Sequence, residues 1–154
     1  LGATTLVPGN MEATWDASLG KYVGAKNVVG WKNVSAEYPR AIAVTYLWYI
    51  TLTKELIEVD TAMNSDLYFR WWQISVSGDP DTAKWPAAQK SPAYDVDVQN
   101  IVTHEAGHWL VLNDLYNKPA NTQTMYGYSA EYELKKRSLE SGDEAGILTI
   151  YPNP

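Results

Sequence analysis

The spacing of apolar residues divides this chain into elements before any composition is counted. Met11, Trp15 and Leu19 stand at i, i+4 and i+8, with Asn10 placed to cap and Gly20 placed to stop, so a short helix is predicted over Asn10–Gly20. Ala41–Ile50 is rich in β-branched and aromatic residues, as a buried strand is. Leu56–Met63 partly alternates and carries Glu58 and Asp60 on one face, the pattern of an edge strand with a solvated carboxylate side. Residues 77–95 hold Pro, Gly, Asp and Ser in the mixture of an irregular loop. From Asp97 to about Leu112 the period becomes helical: Ile101, the Gly107/His108 pair and Val111 or Leu112 share a side, and Asp97 can cap the start. Residues 113–130 are polar and turn-rich. Ser141-Gly-Asp-Glu144 has capping-box spacing ahead of Ala145–Ile150, which predicts a last short helix. Strands and helices segregate along the chain, so the fold class expected is α+β.

Length and composition narrow this further. A chain of 154 residues fits one domain, expected over residues 1–154, its upper portion spanning 1–108 and its lower portion 109–154. A net charge of −6 argues against nucleic acid or anionic membrane as the main partner. The absence of Cys excludes disulfide scaffolds, thiolate metal sites and thiol nucleophiles. No apolar run reaches the roughly 18 residues of a membrane span, and Leu1–Pro8 does not read as a signal peptide. The expected chain is therefore intracellular or already processed.

The chain owns two histidines, and their placement decides the chemistry. His104-Glu105-Ala-Gly-His108 puts both imidazoles one turn apart on one face of the predicted helix, where they can reach a single Zn²⁺. Glu105 lies beside them, suited to a water on the metal rather than to the metal itself. Chance produces this arrangement in on the order of one chain in a thousand with two His. The nearest candidate for a third ligand is Asp114. On an unbroken helix it would lie about 240° round and about 9 Å beyond His108. The chain must therefore leave the helix between Leu110 and Asp114 and fold back.

His104-Glu105-x-x-His108-x-x-x-x-x-Asp114 resembles the extended zinc signature of the metzincins, in the snapalysin-like variant with Asp as third ligand. Members place Gly three residues after the second His to make a sharp turn; here Val111 stands there, and Asn113 is expected to supply the left-handed residue instead. Thr124-Met125-Tyr126-Gly127-Tyr128 resembles the Met-turn of the matrixin-like branch, and Arg137–Tyr151 resembles its last helix. The resemblance implies a zincin-like fold with a twisted mixed sheet, an active-site helix, a Met-turn and a C-terminal helix. It implies one catalytic Zn²⁺ on His104, His108 and Asp114, Glu105 as general base, Met125 beneath the metal, and Ile57–Asn64 as the edge strand that pairs with an extended substrate. Tyr126 and Tyr128 are expected to line the pocket for the residue after the scissile bond. The implied activity is zinc endopeptidase acting on polypeptides, from a monomer in the extracellular space or cell envelope.

Rival readings remain open at this level. A gluzincin-like site would draw its third ligand from Glu131, Glu133, Glu140 or Glu144. A non-catalytic domain would use the seven Trp and eleven Tyr to bind peptide or glycan, but has no use for Glu105 as a base. A closed structural site lacks a fourth His or Cys. Asn33-Val-Ser35 fits a glycosylation acceptor, and Asp79-Pro-Asp81 is a thin basis for a structural Ca²⁺ loop beside the commoner solvated acidic turn.

Overall fold

A computed structural model describes residues 7–72 and 94–152 of the chain. It is an α+β molecule with seven short strands and two α-helices among those residues, falling into two compact units, Leu1–Asp66 and Leu67–Pro154. The Asp79–Asp81 segment lies outside the described residues. No helix among the described residues is long and apolar enough to cross a membrane.

The first unit is built from strands. β1 (Thr14–Asp16) and β2 (Lys21–Val23) form an antiparallel hairpin in place of the helix expected over Asn10–Gly20. The reason is local: Asp16 Oδ1 accepts from the Ser18 and Leu19 backbone N–H groups and the Ser18 hydroxyl, at 2.8, 3.2 and 2.6 Å. That Asx-type turn competes with helix, and Gly20 completes the reversal at φ +60°. Trp15 then faces Tyr22 across the hairpin, ring centroids 5.3 Å apart, instead of stacking along a helix with Met11 and Leu19.

β3 (Val28–Lys32), β4 (Ala43–Tyr49) and β5 (Leu56–Asn64) make a three-stranded sheet in the order β3-β5-β4. β5 pairs parallel with β3, Val28 opposite Asp60, and antiparallel with β4, Thr45 opposite Thr61. β5 is therefore the central strand and not an edge, so the expectation that its edge is open to substrate is overturned. Its carboxylates are not solvated either: Glu58 is 1% and Asp60 0% exposed. Glu58 accepts from the backbone N–H groups of Glu12 and Ala13 at 2.8 and 2.7 Å, and Asp60 from those of Gly9 and Val28 at 2.8 and 2.9 Å. The same face continues to Asn64, which donates to the Ala41 carbonyl at 2.8 Å. Alternating polar residues here hold non-repetitive backbone against the sheet, because buried N–H groups need acceptors. Burial pushes the Asp60 carboxyl above its ordinary pKa despite those two bonds.

In the second unit β6 (Phe69–Trp72) and β7 (Tyr94–Asp97) pair in parallel. The expected single twisted mixed sheet is thus, among the described residues, three separate small sheets. β7 runs directly into α1 (Val98–Trp109), the predicted helix, and Asp97 caps it by accepting from the Asn100 N–H at 2.7 Å. Arg137 forks onto the same carboxylate, Nε to Oδ1 at 2.8 Å and Nη2 to Oδ2 at 2.5 Å, so the helix start is fixed from outside as well. Asp95, one pleat earlier, is saturated by Arg70, Trp72 Nε1 and the Tyr132 hydroxyl at 2.5, 3.0 and 2.8 Å. α2 (Ser141–Ile150) is the last helix, capped from Glu140 with Asp143 in the third position, one residue earlier than the Ser141–Glu144 box predicts.

Candidate metal centre

α1 carries the His pair on its buried side: His104 is 7% and Glu105 5% exposed, while His108 is half-buried. The rings of His104 and His108 stand nearly perpendicular, centroids 5.0 Å apart. One ligating atom each from His104, Glu105 and His108 lies within 4.8 Å of the other two.

α1 ends at Trp109 rather than Leu112, and the way it ends builds the rest of the site. The Leu112 N–H bonds to the Gly107 carbonyl at 3.1 Å and the Val111 N–H to the His108 carbonyl at 2.9 Å. These are the two bonds of a Schellman cap, whose penultimate position needs a left-handed residue. Val111 takes it, at φ +64°. The expectation that Asn113 would supply the turn is therefore corrected: the reversal sits at Val111, because two recovered carbonyl bonds there outweigh the strain of a β-branched side chain. The reversal also brings the Leu112 carbonyl to 2.7 Å from His108 Nδ1.

Past the turn, the Leu115 N–H bonds to the Met125 carbonyl at 2.8 Å and the Gly127 N–H to the Leu115 carbonyl at 2.9 Å, a short ladder tying residues 115 and 126 together. Asp114, the residue before Leu115, thereby comes back onto the helix. Its Oδ1 lies 3.1 Å from His104 Nε2 and 3.7 Å from His108 Nε2. Its Oδ2 accepts from the Tyr116 hydroxyl at 3.0 Å. Tyr116 is a site residue that the motifs in the sequence do not single out. The available signal was its place two residues after Asp114, which puts both side chains on one side of an extended segment.

Met125 is 3% exposed and lies against α1 at Gly107, where an added Cβ would meet its Sδ at 2.1 Å. Asp143 fixes this turn from α2. Its carboxylate accepts from the backbone N–H groups of Thr124, Met125 and Glu140 at 2.8, 3.1 and 2.9 Å. Burial pushes the Asp143 carboxyl up, and those N–H donors more than offset it, leaving its pKa below the ordinary value. The Thr124 carbonyl, held by this clamp, is 2.7 Å from His104 Nδ1. Tyr126 is half-buried and Tyr128 exposed. Tyr128 packs edge-on to both Tyr126 and Tyr116, with centroids 5.6 and 5.4 Å away.

The donor set can be tested for a metal by counting protons. A carbonyl only accepts, so Nδ1 of each His is the N–H donor, and in the neutral form of either ring that leaves Nε2 as the acceptor. Both Nε2 atoms lie close to Asp114 Oδ1, which is buried and has no hydrogen-bond partner. With both rings neutral, three acceptors converge there, an arrangement that a cation satisfies and that costs free energy otherwise. For Asp114 itself, burial raises the carboxyl pKa, and a hydrogen bond and positive charge from protonated His104, with the charge of His108 and the Tyr116 hydroxyl, more than offset it, leaving the pKa below the ordinary value. The alternative carboxylates lie elsewhere. Glu131 accepts from the Asp95 N–H at 3.4 Å, Glu133 pairs with Lys135 at 3.1 Å, Glu140 caps α2, and Glu144 is exposed on that helix. Comparison of the chain with protein-family models, with curated proteins and with solved structures finds no match.

Proposed function

We propose that this chain is a zinc-dependent endopeptidase of zincin-like fold, similar to the matrixin-like metzincins with an Asp third ligand. The observation that carries the reading is the orphaned Asp114 Oδ1, turned to two imidazole nitrogens whose other ring nitrogens are already committed to backbone carbonyls. His104, His108 and Asp114 would hold the ion, leaving coordination open as a catalytic rather than a structural site requires. Zinc in such a site supplies the Lewis acidity that makes water a nucleophile near neutral pH.

The chain's own residues do the rest. Glu105, buried beside the two His, would take a proton from the attacking water and return it to the leaving amine. The Nδ1 bonds of both His to fixed carbonyls hold the rings in one tautomer and orientation, so neither ring must reorganise during the reaction. Tyr116 occupies the second oxygen of Asp114 and leaves the first to face the His pair. Tyr126 and Tyr128 are offered as the wall of the pocket after the scissile bond, and polypeptides outside the cell as the substrate.

The test is hydrolysis of a fluorogenic peptide library by the purified chain, with and without chelator, together with metal analysis of Glu105→Gln. The expected result is chelator-sensitive cleavage, a loss of about 10²–10⁴-fold in kcat/KM for the variant, and unchanged zinc content. Cleavage that survives the variant would overturn the assignment.

A further inference from the structure

Lys136 is the one lysine among the described residues that is buried, at 2% exposed, and the chemistry above gives it no task. It sits in the short turn Lys135–Arg137 and makes two bonds. Its backbone N–H donates to Asn100 Oδ1 on α1 at 2.8 Å, and its ammonium donates to the Tyr126 carbonyl. Asn100 in turn reaches the Ser129 hydroxyl at 3.3 Å. Its charge is felt by Glu133, Asp114 and Glu105, against the cost of burial, which pulls its pKa below the ordinary lysine value. Taking an ammonium out of water is expensive, and a Met of similar length would fill the same space without that cost. The position therefore has to be explained by what the ammonium holds.

It holds the strand-like segment that delivers the third ligand. Tyr126 is the residue bridged to Leu115, through the bonds from the Leu115 and Gly127 N–H groups, and Leu115 follows Asp114. Lys136 thus joins the helix bearing the His pair, through Asn100, to the ladder bearing Asp114, through Tyr126. We propose that Lys136 is a positioning residue for Asp114, fixing its carboxylate at the distance from His104 and His108 at which all three take one ion. The inference rests on the zinc reading of the site. It has an opposite-sign competitor, which makes it decidable. A buried cation beside a divalent site opposes metal electrostatically, so if charge were its only effect, removing it would tighten binding.

The experiment measures zinc affinity of the metal-free protein by competition with a chromophoric chelator, for the parent chain, Lys136→Met and Lys136→Arg, with urea unfolding of the metal-free forms alongside. Expected are a loss of about 10–100-fold in zinc affinity for Lys136→Met, in the range of outer-shell substitutions, and a value within about threefold of the parent for Lys136→Arg, which keeps a cationic donor. A purely structural role would lower the urea midpoint of Lys136→Met and leave its zinc affinity alone. Unchanged or tighter zinc binding by Lys136→Met overturns the proposal. So does a tenfold loss in Lys136→Arg, which decides the matter even if the Met variant does not fold. A parent chain that binds no zinc sinks the zinc reading and this inference together, whereas zinc binding indifferent to Lys136 sinks the inference alone.

Discussion

Val111 is where the chain works against its own local preference, and the strain there can be weighed. An L-residue in the left-handed region costs about 1–2 kcal/mol, and a β-branched one lies at the upper end of the roughly 1–3 kcal/mol range for strained backbone. Val111→Gly removes that strain. It costs up to about 1 kcal/mol in added freedom of the unfolded chain. It also forfeits a fraction of a Val burial, because the side chain is 45% exposed. The balance is a net stabilisation of about 1 kcal/mol, or a rise of about 2–4 °C in Tm for a chain of this size. Val111→Ala is the informative control. At an ordinary helical position Ala is more stable than Gly by about 1 kcal/mol, whereas at φ +64° the order reverses, with Gly ahead by about 1 kcal/mol. Urea unfolding of the metal-free parent and both variants reads the order directly. If Ala equals or exceeds Gly, the cap does not turn at Val111, and the path that brings Leu112 to His108 and Asp114 to both rings is wrong.

Two further outcomes follow from the packing under α1. Asp143→Asn should cost about 2–4 kcal/mol at pH 7, since it weakens two buried and one part-buried N–H bond to a charged acceptor. Because the folded pKa of Asp143 is lowered, the charge contributes fully above the unfolded value near 3.9 and its contribution fades as pH falls through the folded pKa. The gap between parent and variant in urea should therefore shrink at low pH, and a pH-independent gap would contradict the clamp. Gly107→Ala sets a Cβ 2.1 Å from Met125 Sδ. It should destabilise by about 1–2 kcal/mol, overpacking outweighing the better helix propensity. Truncation of Met125 to Ala is itself costly, but in that background Gly107→Ala should cost little more, and additive losses would place Met125 elsewhere.

Much of the fold is legible in the sequence where a single local rule governs. The helix over Asp97–Trp109 is legible because cap, period and apolar face agree, and so are Ala43–Tyr49 and the last helix. Other elements mislead where a side chain serves distant backbone. Asp16 looks like a helical polar residue until its turn with Ser18 and Leu19 is seen. Glu58 and Asp60 look solvated because alternation reports only that a face is polar. It does not report that residues 9–13 lie across that face and take the carboxylates as acceptors. β3 and β6 carry too little pattern, at five and four residues, to stand out before their partners are known. In the candidate site the His pair and Glu105 follow from helix geometry alone. Asp114 is legible as a candidate by proximity, but its delivery depends on a Val in a glycine's conformation and on Lys136 and Tyr116, which no motif marks.

The strongest consequence of the site concerns the protein without metal. When both rings are neutral, Oδ1 of Asp114 faces two Nε2 acceptors with no proton between them, and a buried acceptor left in that state costs about 1–3 kcal/mol. Asp114→Asn changes one oxygen to an NH₂ group and little else. Its remaining oxygen can still accept from the Tyr116 hydroxyl, while its amide donates towards the Nε2 lone pairs. The variant should therefore be more stable than the parent in metal-free form, by about 1–3 kcal/mol at pH 7–8, and should bind zinc far more weakly because a neutral amide is a poor ligand. Urea midpoints with and without zinc measure both halves. Zinc should raise the parent's midpoint and leave the variant's nearly unmoved, so the order of the two proteins inverts on adding metal. A metal-free variant less stable than its parent would mean that a ring proton already bridges His104 and Asp114. The convergence would then be an ion pair sufficient to itself, and the case for a cation there would lose its physical ground.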